Sequence, residues 1–144
     1  KSLNYLNNIL AKIEALDAGV GEAIMLNAEG FVAEATGDNV FVVRGGQLQT
    51  PPTSAGILDG VTRNTVIRLA RDAGIEVVEK NLVRVDLYTS DEFFLTGTGA
   101  ECIPVAKIDN RLVADGKVGP ITRQLIGAYR ELVRTAPDVR PPRA

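Results

Sequence analysis

Apolar residues near the start of the chain fall at Leu3, Leu6, Ile9, Leu10, Ile13 and Leu16. Steps of three and four put them on one face of a helix over residues 3–17, with Gly19 as its stop. The period then shortens. EAIMLN (22–27), GFVAEA (30–35) and NVFVVR (39–44) read as short strands with turn residues between them. The glycine pair at 45–46 predicts a hairpin turn into QLQT. TPPTSAGILDG (50–60) has no period and carries two prolines and two glycines, so it reads as loop. Helical spacing returns over 61–74, with Val66, Ile67, Leu69, Ala70 and Ala73 as the buried stripe, Thr62 as cap and Gly74 as end. A strand over 75–82, a short helix over 84–91 and strands over 92–99 and 100–109 follow, with a hairpin expected in NRLVADGK. The last helix covers 120–134 and opens on Pro120, and the tail PDVRPPRA is expected to fray.

The order of helix, several strands, helix, strands and helix predicts a mixed α/β domain, not a regular βαβ array. At 144 residues the chain is one domain's worth. Composition is that of an ordinary globular protein, and the net charge of −2 argues against a general nucleic-acid binder, which needs a basic face. No apolar run approaches the roughly 20 residues of a membrane span.

Two scarcities narrow the chemistry. The chain has no histidine, which excludes Ser-His and Cys-His catalysis and His-ligated metals within it. It has one cysteine, Cys102, so it holds no internal disulfide or Cys-rich zinc site, which suits a reducing cytoplasm. Lys, Asp, Glu, Tyr, Ser and Thr remain for acid–base or covalent work, and the lysines are only Lys1, Lys12, Lys80, Lys107 and Lys117.

Four places carry candidate chemistry. In GILDGVTR (56–63) a glycine-containing loop runs into a helix N-terminus, where the amides of Val61 and Thr62 and the helix dipole would suit an anion, phosphate above all. An ordinary N-cap would look the same. In TGTGAE (96–101) a strand ends in a turn whose glycines let amides approach a ligand, so Thr98 and Gly99 could hold a carboxylate or phosphate; a plain turn is the alternative. Glu34, before the turn TGDN, is expected to face water as most strand charges do; buried, it would need a cationic partner. Lys1, taken alone, reads as a solvated terminal residue.

Together and in this order, these pieces resemble the class IV (fold type IV) aminotransferases that use pyridoxal 5′-phosphate. The matching segments are KSLNYLNNILAKIEA, EAIMLNAEGFVAEATGDNVFVV, LQTPPTSAGILDGVTR, SDEFFLTGTGAECIPV and IDNRLVADGKVGPIT. The resemblance implies a mixed-sheet or barrel-like C-terminal domain over residues 1–136, with a tail at 137–144 and a preceding N-terminal domain outside the chain. It implies that Lys1 carries pyridoxal 5′-phosphate as a Schiff base and then moves the substrate's α-proton. Glu34 matches the glutamate that faces the pyridine nitrogen. Val61 and Thr62 match the amides that hold the phosphate, Thr98 a further phosphate contact, and Leu58 a residue packed on the ring. Thr98 and Gly99 match the turn that receives the substrate α-carboxylate. Arg63 fits the pattern, with a structural role left open, and Tyr5 stands where a related aromatic often does.

The sequence departs from the pattern where GTGAE replaces the GTAAE common in branched-chain enzymes. GDNVFVV and LQTPPTSAGILDGVTR favour the branched-chain enzymes, which move the amino group of L-leucine, L-isoleucine or L-valine to 2-oxoglutarate. A D-amino acid aminotransferase and aminodeoxychorismate lyase are alternatives within the family, and a non-catalytic domain that binds a phosphorylated ligand is the alternative outside enzymes. The resemblance further implies a homodimer or hexamer.

Overall fold

The computed structural model describes residues 3–135. Lys1 and the tail after residue 136 therefore lie outside the described residues. The first helix is α1 (Leu6–Asp17), followed by β1 (Ile24–Leu26), β2 (Val32–Ala35), β3 (Asn39–Arg44) and β4 (Gln47–Thr50). Next come α2 (Val61–Asp72), β5 (Val77–Glu79), α3 (Arg84–Tyr88), β6 (Glu92–Gly97) and β7 (Glu101–Pro104). The short strands β8 (Lys107–Ile108) and β9 (Arg111–Leu112) and the helix α4 (Pro120–Thr135) complete the order.

Five strands form a mixed sheet in the order β5-β4-β3-β6-β7. Strand β3 lies at its centre, antiparallel to β4 and β6, while β4 and β5 run parallel and α2 makes the crossover between them. Side chains alternate across the sheet. Val40, Val42, Phe93 and Leu95 enter one core with Val32, Leu82 and Leu87. Phe41, Val43, Leu48 and Phe94 enter a second core, under Val66, Ile67 and Ala70 of α2 and Leu125 of α4. Both faces are thus covered, which is why NVFVVR and EFFLTG are almost continuously buried. Phe41 and Phe94, directly paired across β3 and β6, stack with centroids 5.0 Å apart.

A carboxylate fixes α4. Glu92 is buried on β6, and its oxygens accept hydrogen bonds from the amides of Ile121 at 3.1 Å and Thr122 at 2.6 Å. A strand residue thereby satisfies two of the donors that the first turn of α4 leaves open. On the other side of the molecule, the Tyr88 hydroxyl donates to Asp109 Oδ2 at 2.5 Å and Arg111 lies 4.9 Å over the Tyr88 ring, which pins the β8–β9 hairpin to α3.

The structure departs from the sequence reading in four places. The six-residue stripe of α1 forms no core: Leu6, Ile9, Leu10, Ile13 and Leu16 are 47–67% exposed, and Ala15 is the buried residue of the helix. Periodicity reports that a face is apolar, not what it packs against. Asn8 Nδ2 donates to Thr36 O at 3.0 Å, and Lys12 bonds Glu22, so polar contacts hold α1 to the body. A groove of about 850 Å³ opens between α1 and the sheet, lined in part by Ala11, Ala15, Ile24, Leu95 and Ile103. In α2 the cap position belongs to Gly60; Thr62 lies two residues further inside and is buried, while Ala73 falls past the helix end and is exposed. The segment 100–109 splits into β7 and β8 at Val105–Ala106. The hairpin after it turns at Asp109–Asn110, both in the left-handed region as a two-residue β-turn requires.

Candidate functional site

The register of β3 on β6 pairs Asn39 with Thr96. That pairing brings the turn after β6, with Thr98 and Gly99, to the same sheet end as Glu34, at the end of β2, and the 36–38 turn that leads into β3. The loop from β4 to α2 closes over this end.

Glu34 is 6% exposed, contrary to the expectation of a solvated strand charge, because β2 is buried on both faces. Its Oε2 accepts a hydrogen bond from the Leu58 amide at 3.0 Å and from Asn39 Nδ2 at 3.2 Å. Asn39 Nδ2 also donates to Leu58 O at 2.9 Å. Both backbone groups of Leu58 are committed to these partners, which leaves its side chain, 43% exposed, turned outward at the site.

Two residues further on, Gly60 adopts an extended conformation (φ −73°, ψ 134°), and no side chain caps α2. The first helical bond runs from the Asn64 amide to Gly60 O at 2.9 Å. The amides of Val61 and Thr62 precede it and have no acceptor within the helix. Val61 is 78% exposed. A twelve-residue helix thus presents an uncapped N-terminus, with Val61 exposed and Thr62 buried, at the end of the loop that binds a buried carboxylate through Leu58.

The neighbouring Arg63 has a structural role. It is 2% exposed, and its Nη2 donates to Pro51 O at 2.9 Å and to Glu79 Oε2 at 2.7 Å. It therefore ties the start of the loop and β5 to the first turn of α2. Thr98 and Gly99 are exposed in the β6–β7 turn. A Cβ added at Gly99 would meet no heavy atom within 4 Å. The alanine common at this place would therefore fit, and the departure from GTAAE leaves the turn intact. Tyr5 is half-buried at the head of α1, where its carbonyl accepts from the Ile9 amide at 2.8 Å. Cys102 is buried in the second core; burial, with help from Glu101 and against Arg130, pushes its thiol up to about 11, so it is no nucleophile at neutral pH.

The structure thus joins Glu34 to Leu58 directly and puts Val61 and Thr62 at the end of the same loop. Thr98 and Gly99 flank the site from β6, and Lys1 lies outside the described residues. Sequence reasoning missed the residues between these groups. Asn39 and Asp38 read as turn formers in TGDN. A Cβ added at Gly60 would lie 2.1 Å from Asn39 Oδ1, and one added at Gly97 would lie 2.0 Å from Asp38 Oδ1. An Asn opening a strand whose next four residues, Val40 to Val43, are all apolar was the available signal.

Comparison with known proteins identifies the family of the chain. The chain is 54% identical over 132 residues to a protein of Methanocaldococcus jannaschii, covering 92% of this chain and 46% of that one. It is 44% identical over 129 residues to the branched-chain-amino-acid aminotransferase of Pseudomonas aeruginosa, covering 90% and 42%. The solved branched-chain amino acid aminotransferase of Thermobaculum terrenum, in its PLP form, superposes with a TM-score of 0.88 at 51% identity, over 91% of this chain and 43% of that one. The chain spans less than half the length of each. The family model for class IV amino-transferases matches residues 1–108, and with these relatives it shows that the chain belongs to the class IV aminotransferase family.

Proposed function

We propose that this chain is the cofactor-binding domain of a pyridoxal 5′-phosphate-dependent aminotransferase that moves the amino group of L-leucine, L-isoleucine or L-valine to 2-oxoglutarate. The observation that carries the reading is the link from buried Glu34 through Leu58 to the uncapped N-terminus of α2. A carboxylate suits a protonated ring nitrogen, and helix-terminal amides suit a phosphate. Pyridoxal phosphate carries a ring nitrogen and a phosphate on one ring, so the donor set fits it.

When bound, that cofactor supplies an electron sink for the carbanion left when the α-proton departs. The chain's own residues do the rest. The Lys1 amine holds the cofactor covalently and, once released, takes the proton from the substrate α-carbon as base and returns one as acid. The Glu34 carboxylate would partner the ring nitrogen and keep it protonated. The Val61 and Thr62 amides, with Thr98, would hold the phosphate. Leu58 would pack on the ring. The Thr98–Gly99 turn receives the substrate α-carboxylate.

The intact enzyme closes the site with a further domain and works as a homodimer or hexamer in the cytoplasm. Two findings support the closure. The relatives are more than twice as long as the matched part, and the exposed apolar face of α1 and the groove beside it offer a surface for packing. Closure excludes water and strengthens every electrostatic contact inside.

The test is a steady-state assay of the full-length protein with pyridoxal phosphate and 2-oxoglutarate, comparing L-leucine with D-alanine as amino donor. Turnover of L-leucine at rates ordinary for enzymes, on the order of 1–1,000 per second, is expected. Turnover of D-alanine alone would contradict the branched-chain reading, and loss of pyruvate from aminodeoxychorismate without transamination would replace it with the lyase.

A further inference from the structure

We infer that Asn39 is the positioning residue of this site: one side-chain amide locks the carboxylate of Glu34 to the loop that feeds α2, and so sets the spacing between the groups that meet the two ends of the cofactor. The inference rests on pyridoxal phosphate being the ligand.

Asn39 is 3% exposed and opens the central strand, paired with Thr96 on β6. Its Nδ2 bonds Glu34 Oε2 at 3.2 Å and Leu58 O at 2.9 Å. A backbone carbonyl can only accept, so the amide must present its NH2 group to this side. Both of its N–H donors are then committed. Its Oδ1 faces Gly60, where an added Cβ would come within 2.1 Å.

One buried side chain on the central strand of the sheet thus touches the carboxylate, the loop carbonyl and the last residue before the helix. Glu34 closes the triangle by accepting from the Leu58 amide at 3.0 Å. Asp38, next in line, abuts Gly97 before the Thr98–Gly99 turn in the same way. The consequence for the reaction is geometric. A charge partner for a ring nitrogen works only when held within about 0.5 Å of its productive place, and that demands a supporting shell that is itself locked. Asn39 supplies that lock and touches neither substrate nor reacting atoms.

The test uses the full-length protein with pyridoxal phosphate, comparing Asn39→Ala and Gly60→Ala with Glu34→Gln. Loss of the two hydrogen bonds predicts a cofactor dissociation constant raised roughly tenfold or more in Asn39→Ala. The visible band of the bound cofactor shifts, and kcat falls while the KM for L-leucine changes little. In the Glu34→Gln background Asn39→Ala costs kcat less than it does alone, because it acts through the carboxylate. Gly60 has a backbone conformation that alanine adopts without strain, so Gly60→Ala tests the close approach alone. It is expected to reproduce the band shift and to add nothing once Asn39 is Ala.

Variants that melt earlier but keep the band, the dissociation constant and kcat of the wild type would overturn the inference, as would full additivity with Glu34→Gln. Should Asn39→Ala fail to fold, a folded Gly60→Ala with unchanged band and affinity overturns it equally. A wild-type protein that shows no band with pyridoxal phosphate overturns the cofactor reading and this inference with it, a result distinct from a normal wild type with insensitive variants.

Discussion

Replacing Lys1 with alanine in the full-length enzyme is expected to abolish turnover while leaving weak, non-covalent binding of pyridoxal phosphate. The amine does two jobs in this account: it anchors the cofactor covalently, and it carries the α-proton. Loss of an acid–base group alone costs about 10²–10⁴-fold, and the lost anchor adds to that. Binding survives because the amides of Val61 and Thr62, the carboxylate of Glu34 and the face offered by Leu58 do not depend on the lysine. Single-turnover kinetics and a cofactor titration followed by fluorescence check the two halves separately. Full activity in this variant would end the assignment of Lys1. A variant that binds no cofactor at all would show that the amides and Glu34 do not form the cradle.

Glu34→Gln carries the second largest expected effect, a fall in kcat of about a hundredfold, the scale of removing one preorganised electrostatic partner from a dry site. The substitution is selective for structural reasons. The bonds from Leu58 N and Asn39 Nδ2 both fall on Oε2, and a glutamine oxygen at that place accepts both. The local fold is kept and the negative charge is lost. The charge matters most when electrons enter the ring, so kcat falls more than the KM for L-leucine changes. The cofactor stays bound. An unchanged kcat would remove Glu34 from the mechanism.

The sequence disclosed the elements better than their partners. β3 and β6 were legible because their apolar runs are buried on both faces, and α2 because its stripe meets the sheet along its length. α1 shows the limit. Its stripe was read correctly, yet periodicity says nothing of the surface that covers it, and in this chain that surface is open. The glycine-containing approach to α2 was legible from GILDGVTR, although an ordinary N-cap would have looked the same. The burial of Glu34 was not. It depends on long-range closure: Leu58, 24 positions away, reaches it only once the loop folds over the sheet end. Asn39 and Gly60 were hidden for the same reason. A turn-forming Asn and a turn-forming Gly have local explanations in TGDN and LDG, and only their contact reveals that each constrains the other. The role of Arg63, left open by the family pattern, was settled by its bonds to Pro51 and Glu79.

The central claim is that Lys1 and the Glu34–Leu58–α2 cradle together hold pyridoxal phosphate for transamination of branched-chain L-amino acids. The most direct measurement is the absorbance spectrum of the full-length protein with pyridoxal phosphate, recorded before and after adding L-leucine and, separately, D-alanine. The account predicts a visible band from the covalently held cofactor that bleaches with L-leucine and persists with D-alanine. Bleaching by D-alanine alone would contradict the substrate assignment, and the absence of any visible band would contradict the assignment of Lys1 and of the site built around it.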